Sequence, residues 1–158
     1  MPESQQIRHH FVIEPLVGVG PIRLGMHKDE VSHAFTYAYR SFFKTPESKV
    51  RSDMCEMVGL IIHYDDYRRV KQIESYQPKD DSGVTMELFG QDVTKKTMGE
   101  ALELISPHGE NTQELLGFDF PALGLSLRNH RYKSDLDPVG HFVVGTAFPF
   151  DPYGTRLE

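Results

Sequence analysis

Hydrophobic and polar positions along this chain follow two similar blocks, residues 22–76 and 84–148. Each block begins with a strand pattern, continues into one amphipathic helix and ends in two or three further strands. In both helices the apolar side chains recur at i, i+3, i+4 and i+7, which places them on one stripe that must be buried. These positions are Val31, Ala34, Phe35 and Ala38 in the first block and Met98, Ala101, Leu102 and Ile105 in the second. The pattern predicts an internal repeat.

The ends of the two helices are predicted from capping and stop signals. The first helix is expected to run from His27 or Lys28 to Tyr39, because two acidic residues then lie in its first turn, at the positive end of the helix dipole. The second is expected to be capped by Thr94 and to stop at residues 107–109, which contain a proline and a glycine.

The strand signals predict antiparallel pairing. Segments 59–65 and 70–77 are rich in β-formers and flank a short polar turn, so they predict a hairpin. Further alternating or apolar runs predict strands over residues 84–88, 113–120, 123–129 and 141–148.

The domain organisation follows from one break in the pattern. Residues 78–83 combine proline, glycine and acidic side chains between two periodic segments, which is typical of a linker. They divide residues 1–158 into halves 11–77 and 84–148 of one compact domain. The predicted fold class is α+β, with two related strand–helix–strand units whose helices pack on one face of an antiparallel sheet.

Alternation within the last strands assigns side chains to faces. Leu123, Leu125 and Leu127 share one side, so Ser126 and Arg128 share the other. Alignment of the two blocks places His63 on the same side as Arg128. Since one helix in each unit covers only one face of a sheet, the opposite face is predicted to be open. His63, Glu74, Glu87 and Arg128 are expected to be exposed there and to bind a partner.

Composition narrows the function classes. The net charge of −6 and the lack of a Lys/Arg tract argue against non-specific nucleic-acid binding, and favour a basic protein partner. No segment approaches the roughly 20 apolar residues of a membrane helix, and the polar N-terminal residues do not resemble a signal peptide. The single cysteine excludes an intrachain disulfide. A cytoplasmic location and no membrane association are therefore expected.

Residues 22–31, Ile-Arg-Leu-Gly-Met-His-Lys-Asp-Glu-Val, join a strand end to a helix start. This segment resembles the helix entry of small bacterial modules related to the beta-lactamase inhibitor protein and the SmpA/OmlA lipoproteins. The resemblance implies tandem units that form a concave protein-binding surface. The chain departs from those modules in having His27 where they usually have Ser or Thr, and in lacking a lipidation cysteine and paired disulfide cysteines. A non-enzymatic inhibitor or immunity protein, directed against a basic target such as a nuclease toxin, is the expected function.

An alternative function is a small enzyme or ligand-binding protein with a pocket near His63, Asp65 and Cys55. Imidazole, carboxylate and thiol are competent acid–base or nucleophilic groups. The spacing of these residues is also that of ordinary turn and core positions, and no cofactor or metal motif accompanies them. We therefore expect no cofactor and no metal site, and an enzyme is the less favoured alternative.

Two aromatic groups exceed what a single helix stripe can hide. One lies at the end of the first helix and includes Tyr39, Phe42 and Phe43, and the other lies in the tail over residues 148–153. Such residues either pack within the domain or form an interface, so a homodimer is a third hypothesis.

Overall fold

A computed structural model describes residues 9–34, 39–76 and 83–145 of the 158-residue chain. The first half contains β1 (His9–Glu14), β2 (Gly18–Val19), β3 (Ile22–Arg23), α1 (Lys28–Ala34), β4 (Arg40–Phe42), β5 (Ser52–Cys55), β6 (Leu60–Tyr64) and β7 (Val70–Tyr76). The second half contains β8 (Val84–Leu88), β9 (Gln91–Asp92), α2 (Met98–Ile105), β10 (Thr112–Glu114), β11 (Gly117–Phe120), β12 (Leu125–Arg128) and β13 (His141–Gly145). Short 3-10 turns follow α2 and precede β12.

The fold is α+β, as predicted, and has two sheets. The larger sheet has eight strands in the order β10-β11-β12-β13-β7-β6-β5-β4, with every neighbouring pair antiparallel. Each half contributes four of these strands, and the halves meet where β13 pairs with β7. The predicted hairpin of β6 and β7 is confirmed. Residues 78–82 of the predicted linker lie outside the described residues.

The smaller sheet corrects the expectation of purely antiparallel pairing. Its order is β3-β2-β1-β8-β9, and β1 and β8 pair in parallel from His9 opposite Val84 to Ile13 opposite Leu88. A parallel pair needs a long crossover connection, which the whole first half of the chain supplies here. No local signal in the sequence marks such a pairing.

The core lies between these elements and uses one face of the larger sheet. Leu125 and Leu127 of β12 are fully buried in it, as alternation predicts, whereas Leu123 lies in the preceding 3-10 turn. The helices contribute Val31, Met98, Ala101 and Ile105, all from the predicted stripes. Burial of these apolar stripes stabilises two helices that are too short to persist alone.

The first helix begins at Lys28, as predicted, and its described part ends at Ala34. Residues 35–38 lie outside the described residues, and Tyr39 is not helical. The tail over residues 148–153 also lies outside them, so its aromatic residues are not placed. Of the aromatic group that follows the first helix, Tyr39 and Phe43 are exposed.

The second helix is capped by Thr97, not by Thr94. The Thr97 hydroxyl accepts the backbone N–H of Glu100, and the Glu100 carboxylate accepts the backbone N–H of Thr97, which together form a capping box. Thr94 instead accepts the backbone N–H of Met86 through its hydroxyl. The Thr-x-x-Glu spacing in the sequence was the signal for the true helix start.

We expect Thr97→Ala to lower the free energy of unfolding by about 0.5–2 kcal/mol, because the backbone N–H of Glu100 loses its acceptor, the Thr97 hydroxyl. Urea denaturation followed by circular dichroism measures the change. Thr112→Ala, in exposed edge strand β10, is the matched control and is expected to change stability by less. Equal effects of the two variants would contradict a structural role for the capping box.

Candidate functional site

The face of the eight-stranded sheet opposite the core carries a continuous row of side chains. Cross-strand pairs join Met54 to Ile61, Ile61 to Glu74, Glu74 to Val143 and Val143 to Ser126. Ile61 and Val143 are buried but do not belong to the core cluster, since they point to the other side. We call this side the pocket face.

A cavity of about 320 Å³ lies on the pocket face, at the lower end of the range for small-ligand sites. One side of the cavity is apolar and the rest is polar or charged. The apolar residues are Phe42, Met54 and Ile61, and the others are Arg40, Lys44, His63, Glu74, Tyr76, His130 and His141.

Glu74 is the centre of a buried hydrogen-bond network. Its Oε1 accepts from Lys44 Nζ at 3.2 Å and from Gln72 Nε2 at 3.3 Å, and lies 3.2 Å from His63 Nε2. Its Oε2 accepts from the Tyr76 hydroxyl at 3.0 Å. A buried carboxylate needs such partners to offset its lost hydration. The side chain of Glu74 is therefore fixed and already satisfied within the protein.

The pKa values in this network follow from burial and from the neighbouring charges. Burial alone would raise the pKa of the Glu74 carboxyl, but the hydrogen bond from His63 and the ammonium of Lys44 outweigh burial and hold this pKa well below its usual range. Burial and the Glu74 carboxylate raise the pKa of Tyr76. Glu74 is thus ionised and Tyr76 is protonated at neutral pH.

His63 is held between Ser52 and Glu74. Its Nδ1 lies 2.6 Å from the Ser52 hydroxyl, and burial lowers the pKa of the imidazole. A neutral ring satisfies both neighbours when Nε2–H donates to Glu74 and Nδ1 accepts from Ser52. The order serine, histidine, carboxylate is that of a hydrolase triad, but Ser52 is buried and does not line the cavity. The arrangement orients Glu74 and does not present a nucleophile.

His141 lines the same cavity and is 5% exposed. Its ring lies 5.0 Å from the ring of Tyr76 and 5.3 Å from that of His130, centre to centre. Burial, together with the positive charges of Arg128 and Lys44, lowers the pKa of His141 to about 4, although Glu74 opposes this shift. The ring is therefore neutral at pH 7.

Beside the cavity, Arg128 is buried in a second charge network. Its Nη2 donates to Asp119 at 2.7 Å and its Nε donates to the Ser126 hydroxyl at 2.8 Å. The Ser126 hydroxyl in turn donates to Asp119 at 2.7 Å. Arg128 lies opposite His141 across β12 and β13, and its charge, partly offset by Asp119, contributes to the lowered pKa of His141.

Three of the four predicted partner-binding residues lie on the pocket face, but they are not exposed. His63, Glu74 and Arg128 are 4%, 7% and 6% exposed, and each is hydrogen-bonded to other side chains of the protein. Glu87 lies on β8 in the smaller sheet, where it pairs with His10 at 3.1 Å, and it does not reach the pocket face. The expectation that all four share one open surface is wrong.

The alternative cluster of His63, Asp65 and Cys55 does not assemble. Cys55 is buried in the core on the opposite face of the sheet, and its thiol is not near the cavity. Asp65 follows β6, and its carboxylate accepts the backbone N–H groups of Tyr67 and Arg69, which is turn chemistry. Only His63 of the three lines the cavity.

Sequence reasoning missed Lys44, Tyr76, His130 and His141. Strand alternation places Tyr76 on the same face as Glu74, so the sequence pattern could have predicted this residue as part of the site. The other three come from loops or from a distant strand, and no local signal marks them.

Comparison with family models, with curated proteins and with solved structures finds no match to this chain. Neither α-helix of the described residues has both the length and the apolar character needed to cross a membrane. Within the same residues, no three His, Cys, Asp or Glu side chains are grouped as metal ligands would be.

Proposed function

We propose that this chain is a non-enzymatic binding protein of the inhibitor or immunity type, and that a protein partner docks on its pocket face. The observation that carries the proposal is the cavity on this face, whose walls are held by internally satisfied charges. Fixed side chains lose little entropy when a partner binds, which favours a recognition site. The buried groups are bonded to one another, and the serine hydroxyl that contacts His63 does not line the cavity.

The arrangement of the two halves supports the hypothesis of two related units. Each half gives four strands to the larger sheet in mirrored order, and each helix start is bridged to a loop residue of its own half, His27 to Arg69 and Thr97 to Pro138. The beta-lactamase inhibitor protein and its relatives, which residues 22–31 resemble, bind proteins on a sheet built from tandem units. We propose the same use of the pocket face here.

The overall charge supports a basic partner. A net charge of −6 accelerates encounter with a positively charged protein through long-range attraction. This attraction acts on the whole molecule and is separate from the local contacts in the cavity.

We expect Arg40→Glu to weaken the partner complex by roughly tenfold or more, as the loss of a contact at the centre of an interface does. Arg40 is exposed at the cavity and pairs only with the exposed Glu56, at 3.1 Å, among the salt bridges of the described residues, so its reversal alters the docking surface without removing a buried group. The partner is isolated from the native cell with tagged protein, purified and titrated by calorimetry. Lys133→Glu, an equal charge reversal in an exposed loop, is expected to leave the affinity unchanged.

Equal affinity of the Arg40→Glu variant and the wild type would remove the pocket face as the docking site. Direct substitution of His63 or Arg128 is a poorer test, because both are buried and their loss also affects stability.

A second proposed function is the binding of a small ligand in the cavity, which its volume of about 320 Å³ supports. His63 then acts as a wall residue, without Asp65 and Cys55. Two results together would favour this function: a small ligand binds the isolated protein, and Arg40→Glu does not change the affinity for a protein partner.

A further inference from the structure

His141 is a buried polar side chain whose ring has no hydrogen-bond partner among the described residues. Its ring lies against the rings of Tyr76 and His130, and it forms part of the cavity wall. A neutral imidazole carries one donor and one acceptor, and buried polar groups in proteins nearly always have a partner. The ring is therefore available to a polar atom of whatever occupies the cavity.

The charges around the cavity favour an anion as that occupant. Lys44 and Arg40 line it, so its lining carries two positive charges against the single negative charge of Glu74. Outside the lining, Arg40 also pairs with the exposed Glu56 at 3.1 Å, and Arg128 on β12 pairs with Asp119. The single carboxylate in the lining, Glu74, is already bonded to Lys44, Gln72 and Tyr76 and lies against His63. No further carboxylate lines this cavity among the described residues.

The apolar side of the cavity indicates what carries the anion. Phe42, Met54 and Ile61 lie on neighbouring strands β4, β5 and β6, beside the charged wall. An occupant with a charged end and an apolar body would bury the body against these side chains, at a gain of roughly 25 cal/mol per Å². A bare inorganic ion would leave them exposed to water.

We propose that the cavity binds a carboxylate of the protein partner, carried next to an apolar group, and that the ring of His141 donates a hydrogen bond to it. This inference rests on the proposed function and names the chemistry of the anchor that the partner inserts. An acidic anchor is compatible with a partner that is basic overall. The anchor makes short-range contacts in the cavity, whereas the net charge of the partner acts over a longer range.

Binding of the anion is coupled to protonation of His141. The groups that face this ring are Tyr76 and Glu74 on β7, Arg128 on β12, His130 in the following loop and Lys44 above the sheet. In the free protein, burial and the charges of Arg128 and Lys44 oppose protonation. A bound carboxylate adds a negative charge and raises the pKa of His141, so the complex takes up a proton. Affinity therefore increases as the pH falls toward the pKa of the complex.

The probe is benzoate, with benzamide as its uncharged counterpart of similar shape. We expect benzoate to bind with a Kd on the order of 1 mM and to shift the NMR signals of the His141 ring, with benzamide at least about tenfold weaker. The benzoate Kd should decrease as the pH is lowered from about 7 to about 5.5. His141→Gln should abolish the pH dependence, whereas His108→Gln, at an exposed ring stacked on Phe89, should not change it.

Equal binding of benzoate and benzamide, or binding of neither, would overturn the inference. Its failure is distinguishable from failure of the proposed function. If benzoate binds as expected but Arg40→Glu leaves the partner complex intact, the cavity binds a free carboxylate and the protein-docking function is wrong. If Arg40→Glu weakens the partner complex but benzoate does not bind, docking stands and the carboxylate anchor is wrong.

Discussion

Glu74→Ala is expected to lower the free energy of unfolding by about 3–5 kcal/mol, the cost of leaving one partner of a buried ion pair alone. Lys44 would keep its charge in a largely buried position, with its Nζ no longer 3.2 Å from a carboxylate. The Tyr76 hydroxyl and the Gln72 amide would lose their acceptor as well. Chemical denaturation at pH 7 measures the loss.

Glu87→Ala is the matched control, because the sequence pattern gave Glu74 and Glu87 the same role. Glu87 is partly exposed and contacts His10 of the smaller sheet, so its loss should cost less than about 1 kcal/mol. Similar losses for the two variants would contradict the buried network.

Glu74→Gln removes the charge of this side chain and keeps its shape. We expect its effect on the way the free energy of unfolding decreases at acidic pH. The folded state holds the pKa of Glu74 below its ordinary value of 4.5, so its ionisation stabilises the wild type above that pH. This contribution is lost as the pH falls below 4.5 toward the folded-state pKa. The Gln variant should show a flatter decline in that range, and an unchanged decline would rule out a stabilising ionised Glu74.

Arg128→Met is expected to cost about 3–5 kcal/mol as well, because Asp119 would remain buried without its guanidinium partner. Ser126 would still donate to Asp119, but one hydrogen bond from an uncharged hydroxyl does not replace an ion pair at 2.7 Å. The free energy of unfolding from urea titration gives the loss.

The double variant Asp119→Leu with Arg128→Met should recover most of that loss, since replacing both partners of a buried pair with apolar groups is often nearly neutral. Arg68→Met is the control, because Arg68 is exposed and lies 4.0 Å from an exposed Asp29. A double variant no more stable than Arg128→Met would show that Arg128 acts through contacts other than Asp119.

The local patterns that the sequence predicted correctly all arise from fixed backbone geometry. The stripe of Met98, Ala101 and Ile105 is buried because a helix repeats every 3.6 residues, and Ser126 and Arg128 share a face because a strand repeats every two. The hairpin of β6 and β7 follows from two apolar runs joined by a short polar turn. Each of these features depends on neighbours within about ten residues along the chain.

The sequence by itself therefore determined the α+β class, the two helix starts to within three residues, and the face on which His63, Glu74 and Arg128 lie. Only the tertiary structure decided that these three side chains are buried, that Glu87 belongs to another sheet, and that Lys44 and His141 complete the cavity. Burial and charge pairing depend on strands and loops that lie far apart in the chain, such as β7 beside β13 and Lys44 above Glu74. Periodicity carries no information about which distant segments meet, because it reflects the geometry of one segment alone.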